Sequence, residues 1–146
     1  MDISKLVVTP KNMKELENAS HCAGVSLSAL MDNAGKALAE GIVSVIKKDK
    51  EREILILAGN GNNAGDGFVC TEILKELGFK VSVVLLCGMP KTELSINAFD
   101  NMQSVTVRRV EDCNISELFS NVSVIVDCVF GTGFHGSLDK NIQEVF

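Results

Sequence analysis

Two stretches of this chain carry residue types able to hold and transform a small ligand. The first is Gly59-Asn60-Gly61-Asn62-Asn63-Ala64-Gly65-Asp66-Gly67, with four glycines in nine positions. Glycines let a ligand approach the backbone closely, and free N–H groups at the start of a following helix make an anion site. Gly59-x-Gly61-x-x-Ala64 formally satisfies the dinucleotide fingerprint. The rest of that motif is missing, because the next apolar run ends at Leu86-Cys87-Gly88 with no acid for a ribose hydroxyl. A Gly-Lys-Ser/Thr of the P-loop kind is missing too. The expectation is a phosphate site of a different kind, with amides near Gly65 and Gly67 as the cradle and a Cβ at Gly65 intruding on the ligand. Asn62 and Asn63 add carboxamide oxygens and N–H donors suited to a ligand or a hard cation. The plainer alternative is a strand-to-helix turn capped by Asp66.

The second stretch is Val126-Asp127-Cys128-Val129-Phe130-Gly131-Thr132-Gly133-Phe134-His135-Gly136-Ser137. A carboxylate ending an apolar run has a desolvation cost unless something pairs with it; the bland explanation is a bond to neighbouring backbone amides. His135 could move a proton, but a lone loop histidine is more often solvated, and Asp32 within a helical stretch is most simply exposed.

The elements around these loops follow from periodicity. Thr9-Pro10 reads as a helix start, with Met13, Leu16 and Ala19 as a short stripe. A longer helix from about Ser26 carries Leu27, Leu30, Met31, Ala34, Leu38, Ile42 and Val45 and ends at Lys47 to Lys50. Ile54 to Ala58 is apolar without alternation, as in a strand covered on both faces. Then come a helix from about Asp66 to Leu77, a strand Val81 to Leu86, a helix Thr92 to Met102, a strand Val105 to Val110, a short helix Ser116 to Phe119 and a strand Val122 to Val126. This alternation predicts a three-layer α/β/α, Rossmann-like fold with a mostly parallel sheet. In the order 3-2-1-4 the first and fourth strands are neighbours, so both loops would open on one crevice with Asn63 facing Asp127. Residues 1–146 are expected to form a single domain. Asn141 to Phe146 reads as the start of another helix, so the domain is expected to be cut short at its C-terminal end and the fragment alone inactive.

With 146 residues, a net charge of −5, no Trp and no Tyr, the chain lacks the basic and aromatic face of a nucleic-acid binder. Five scattered cysteines without a Cys-x-x-Cys pair imply free, mostly buried thiols. No apolar run approaches a membrane span and the N-terminus has no signal-peptide pattern, which gives a cytoplasmic expectation.

Gly59-x-Gly61-Asn62-Asn63-x-Gly65-Asp66-Gly67 together with Asp127-x-x-Phe130-Gly131-Thr132-Gly133 resembles the NAD(P)H-hydrate epimerase family, the YjeF N-terminal domain type. Thr9-Pro10 and Met31-Asp32-Asn33-Ala34-Gly35 agree with it; Ala64 stands for a usual Gly and Asp32 for a usual Glu. The resemblance implies an isomerase of cofactor repair that interconverts the R and S forms of hydrated NADH and NADPH. It implies that Asn62, Asn63, Ala64, Gly65 and Asp66, with Gly131, Thr132, Gly133, Phe134, His135, Gly136 and Ser137, bind the nucleotide. It further implies a potassium ion on Asn63 and Asp127 and other ligands in a later Asp-x-Pro-Ser-Gly segment. Asp127, the one carboxylate placed at the crevice on a strand end, is the candidate catalytic group, as metal ligand, proton carrier or both. A homodimer is implied, as is a partner ADP- or ATP-dependent NAD(P)H-hydrate dehydratase, in many organisms fused downstream. The rival expectation is a non-catalytic dimerising scaffold of the same fold, as in mRNA-decapping cofactors.

Overall fold

Ile54, Leu55, Ile56, Leu57 and Ala58 have at most 1% of their surface exposed, which requires that both faces of their strand be covered. The computed structural model describes residues 8–46 and 51–146 and builds that cover from helices. The elements are α1 (Pro10–Cys22), α2 (Leu27–Ile46), β1 (Glu53–Ala58), α3 (Asn62–Glu76), β2 (Lys80–Leu85), α4 (Glu93–Asn101), β3 (Thr106–Arg109), α5 (Ile115–Leu118), β4 (Val122–Cys128) and α6 (Lys140–Gln143). All strand pairs are parallel, in the order β3-β2-β1-β4. Ile54, Ile56 and Ala58 pack with Phe68, Cys70 and Leu74 of α3. Leu55 and Leu57 turn to the other face, with Leu118 of α5 and Ile142 of α6.

Several local expectations shift. Thr9 does cap α1, accepting from Asn12 N at 3.2 Å, but this helix buries no residue, and Met13 and Leu16 stay exposed. In α2 the buried face is Met31, Gly35, Ala39 and Ile42, so Ala34, Leu27 and Val45 lie off it. The stripe rotates because α2 lies close on α3: a Cβ at Gly35 would come 2.6 Å from the Val69 side chain. The expected lysine-rich helix end, Lys47 to Lys50, lies outside the described residues. β4 runs two residues past Val126, since Ala58 pairs with Cys128 and Gly59 N donates to Cys128 O at 3.1 Å. All five cysteines are free, but only Cys70 and Cys128 are fully buried.

α3 starts at Asn62, four residues before the expected Asp66. Gly61 is the N-cap, in extended backbone, and its carbonyl accepts from Ala64 N and Gly65 N. Six of the nine residues of the first glycine-rich stretch are therefore helix. At the other end Gly78, with φ +83°, takes the left-handed conformation that stops the helix.

Candidate functional site

The site begins with a backbone-on-backbone contact. β1 pairs with β4 up to Ala58 and Cys128, and the two chains then leave the sheet together. A Cβ at Gly59 would overlap the Val129 carbonyl oxygen and come 2.9 Å from its carbon. Both glycine-rich loops therefore open at the carboxyl end of the sheet, at the switch point of a doubly wound fold. Gly131 reaches Asn63: its Cβ position is 3.4 Å from the Asn63 Cβ.

The glycines of the first stretch divide into two kinds. A Cβ at Gly65 would lie 2.6 Å from Met31 Sδ and 3.3 Å from Ser95 Cα; one at Gly67 would lie 2.8 Å from Cys128 Sγ. These two let α3 sit tightly on α2, α4 and β4, and the expectation that a Cβ at Gly65 would intrude on a ligand is corrected: it would meet Met31 and Ser95. Ala64 is fully buried, so its methyl does not narrow a ligand's approach. Gly61, by contrast, faces open space, with nothing within 4 Å of its Cβ position. With Ala64 N and Gly65 N already bonded to Gly61 O, the N–H groups of Asn62 and Asn63 remain without a backbone acceptor among the described residues. Two N–H donors thus stand free at the start of α3, where the helix dipole adds to them and an anion would be favoured.

Three residues that sequence reasoning missed fix this turn. Thr92 Oγ1 donates to Asn62 Oδ1 at 2.6 Å and accepts from Ser95 N at 3.2 Å, capping α4 while tying it to α3. Asn60 Nδ2 donates to Cys87 O at 3.0 Å, and Lys91 N donates to Asn60 O at 2.9 Å. The sequence signal was the Pro-Lys-Thr run after β2, a helix-start pattern whose long-range bonds periodicity does not reveal. Because Thr92 occupies the Asn62 oxygen, half-buried Asn63 is the better carboxamide ligand for a cation.

Asp127 is exposed and lies opposite Leu57 in the ladder. Alternation puts it on the sheet face away from Val126 and Cys128, so it and α3 flank the strand end from opposite sides. Its Oδ1 accepts from Val129 N at 3.0 Å, the backbone bond of the bland explanation; its Oδ2 is unbonded among the described residues. Gly131 through Ser137 are exposed. Phe130 and Phe134 hold the start of this loop with ring centroids 4.0 Å apart. His135 and Asp32 are exposed, as expected.

Asp66 is half-buried in α3. Burial first, and Glu17 of α1 second, push its carboxyl up to about 6. The folded state then holds this proton more tightly than the unfolded chain, so Asp66 favours folding fully below about pH 4 and loses that contribution as pH rises through about 6. Asp66→Asn is expected to gain stability relative to the parent steadily between those values. Paired urea titrations across that range check this; a pH-independent difference would refute it. Burial pushes the Cys70 and Cys128 thiols up to about 12, which removes them as nucleophiles.

A groove of about 240 Å³ lies among α2, α3 and α4, lined by Met31, Phe68 and Leu94 with Asp32, Glu72 and Glu76. Those three carboxylates would repel a phosphate, which makes the groove a poor match for a nucleotide. Among the described residues no helix is long and apolar enough to cross a membrane.

Residues 27–146 match the family described as YjeF-related protein N-terminus. The chain is 31% identical to an NAD(P)H-hydrate epimerase of Elusimicrobium minutum, over 94% of this chain and 66% of that protein. It is 36% identical to a bifunctional NAD(P)H-hydrate repair enzyme Nnr of Archaeoglobus fulgidus, over 90% of this chain and 26% of that one. The crystal structure of yeast ynu0, YNL200c, matches with a TM-score of 0.83 at 26% identity, over 95% of this chain and 62% of that chain. The chain thus spans only part of the length of each of these relatives.

Proposed function

The chain belongs to the family of YjeF-related protein N-termini, and on that premise we propose that it is an epimerase interconverting the R and S forms of hydrated NADH and NADPH. The observation that carries this is the crevice formed by β1 and β4, with an anion site at Gly61 to Asn63 on one side and the Asp127 carboxylate at the strand end on the other. The dinucleotide phosphates bind the Asn62 and Asn63 amides, and the Gly131 to Ser137 loop closes on the hydrated ring. Epimerisation needs a group that gives and takes a proton beside the hydrated carbon, or that assists loss and return of hydroxide. Asp127 fills that role: the Val129 N–H orients one oxygen and leaves the other for the substrate.

The donor chemistry of Asn63 and Asp127 suits a potassium ion, since both offer oxygen, the ligand type of hard cations, and the ion would have to bridge them across the strand end. Bound there, it would offset negative charge on the nucleotide. Among the described residues no group of three or more His, Cys, Asp or Glu side chains competes as a metal centre. The product would pass to a dehydratase, the activity joined to epimerisation in the proposed repair sequence.

Two substitutions separate the roles of Asp127. Asp127→Ala is expected to abolish both potassium binding and activity. Asp127→Asn, which keeps an oxygen ligand but cannot carry a proton, should bind potassium while interconversion of hydrated NADPH falls by about 10²-fold or more. Chromatographic R/S analysis and a potassium titration of each variant check this. An active Asp127→Ala would refute the catalytic assignment. Failure of the full-length protein to interconvert the two forms would favour the scaffold.

A further inference from the structure

The epimerase reading, on which this inference rests, fixes which way a dinucleotide lies. Its phosphates sit at Gly61 to Asn63, and its reacting half lies towards Asp127 on β4. The other half must then cross β1 towards the end of β2, as dinucleotides do in doubly wound sheets. There a ribose hydroxyl is usually met by an acid. This chain has none at Leu86-Cys87-Gly88, and presents a cation instead.

Gly88, with φ +74°, turns the chain back after β2. The returning segment is clamped to the first glycine-rich loop at two points, Asn60 Nδ2 to Cys87 O and Lys91 N to Asn60 O. Pro90 between them is buried, while the Lys91 side chain is exposed and forms no ion pair among the described residues. Lys91 thus follows directly on the turn at Gly88, just past the end of β2. Arg109, at the end of β3 and paired in the ladder with Leu85, is one strand farther out.

We propose that Lys91 is a specificity-determining residue: it binds a phosphate monoester on the ribose of the non-reacting half, so the site prefers the 2′-phosphorylated dinucleotide. A monoester carries close to two negative charges where the unphosphorylated ribose offers a neutral hydroxyl, and an ammonium–phosphate hydrogen bond is about twice as strong as a neutral one. The backbone bond from Lys91 to Asn60 fixes where its side chain starts, because the residue that would read the ribose phosphate is tied to the loop proposed to hold the other phosphates.

The test compares adenosine 2′,5′-bisphosphate with AMP by calorimetry on the full chain; the two differ only in the 2′-phosphate. The parent is expected to bind the bisphosphate about tenfold more tightly, a difference of about 1.4 kcal/mol. Lys91→Ala should remove that preference and leave AMP affinity unchanged, Lys91→Arg should keep it, and Arg109→Ala should have no effect on it. Equal binding of both ligands by the parent, or a preference that survives Lys91→Ala, overturns the proposal. Loss of the preference in Arg109→Ala with Lys91 intact also overturns it. The R/S assay reports separately on the chemistry, so a chain that shows the Lys91-dependent preference without epimerisation retains the subsite and loses only the activity.

Discussion

Gly59→Ala is expected to destabilise the domain by about 3–5 kcal/mol, the upper end for a single substitution. The added methyl would meet the Val129 carbonyl group, which is backbone and cannot rotate aside. Relief requires the end of β1 to separate from the end of β4, which breaks the Gly59 N to Cys128 O bond and the last rung of the ladder. Those strands hold the fully buried residues Ile54 to Ala58, so the strain acts on the centre of the core. Against a total stability of about 5–15 kcal/mol for an ordinary domain, such a loss brings the chain near its unfolding threshold. A urea midpoint for Gly59→Ala within error of the parent's would show that the two loops are not in contact, and the shared crevice would have to be abandoned.

Gly61→Thr should do the opposite: leave stability almost unchanged and weaken nucleotide binding by about tenfold or more, the cost of losing one good contact. Gly61 is in extended backbone, with φ −106° and ψ −165°, and its Cβ position faces empty space. Threonine adopts that conformation readily and serves about as well as glycine at an N-cap. Its branched side chain would then stand where the phosphate must approach the Asn62 and Asn63 amides. Gly65→Val makes the contrast, because its side chain would meet Met31 and the Ser95 backbone; it should lower the melting temperature, any loss of affinity being secondary. Calorimetry with NADP and a thermal melt on each variant separate the effects. If Gly61→Thr binds NADP as the parent does, the first loop is only a turn.

The sequence by itself determined the α/β class, the parallel sheet and the chemistry-bearing loops. Continuous apolarity at Ile54 to Ala58, a capped start at Thr9-Pro10 and a helix stop at Gly78 are local properties, decided by burial on both faces, by side-chain capping and by the backbone freedom of glycine. The strand order β3-β2-β1-β4 was also legible, because connection rules leave few alternatives. What each glycine does was not legible. Gly59, Gly61, Gly65 and Gly67 look alike in a motif, yet one meets the backbone just past β4, two meet packed side chains and one meets open space. Only the packing of α3 against α2, α4 and β4 separates them, through neighbours distant in sequence: Met31, Ser95, Cys128 and Val129. The same holds for α2, where a helical stripe predicts an apolar face but close approach to Val69 selects Gly35 over Ala34. It holds also for Lys91, an ordinary exposed lysine in the sequence, which only its bond to Asn60 brings to the rim of the first glycine-rich loop. Local sequence sets which conformations a segment can adopt; the contacts that make a particular residue a packing point or a binding point come from other parts of the chain, and only the assembled fold brings them together.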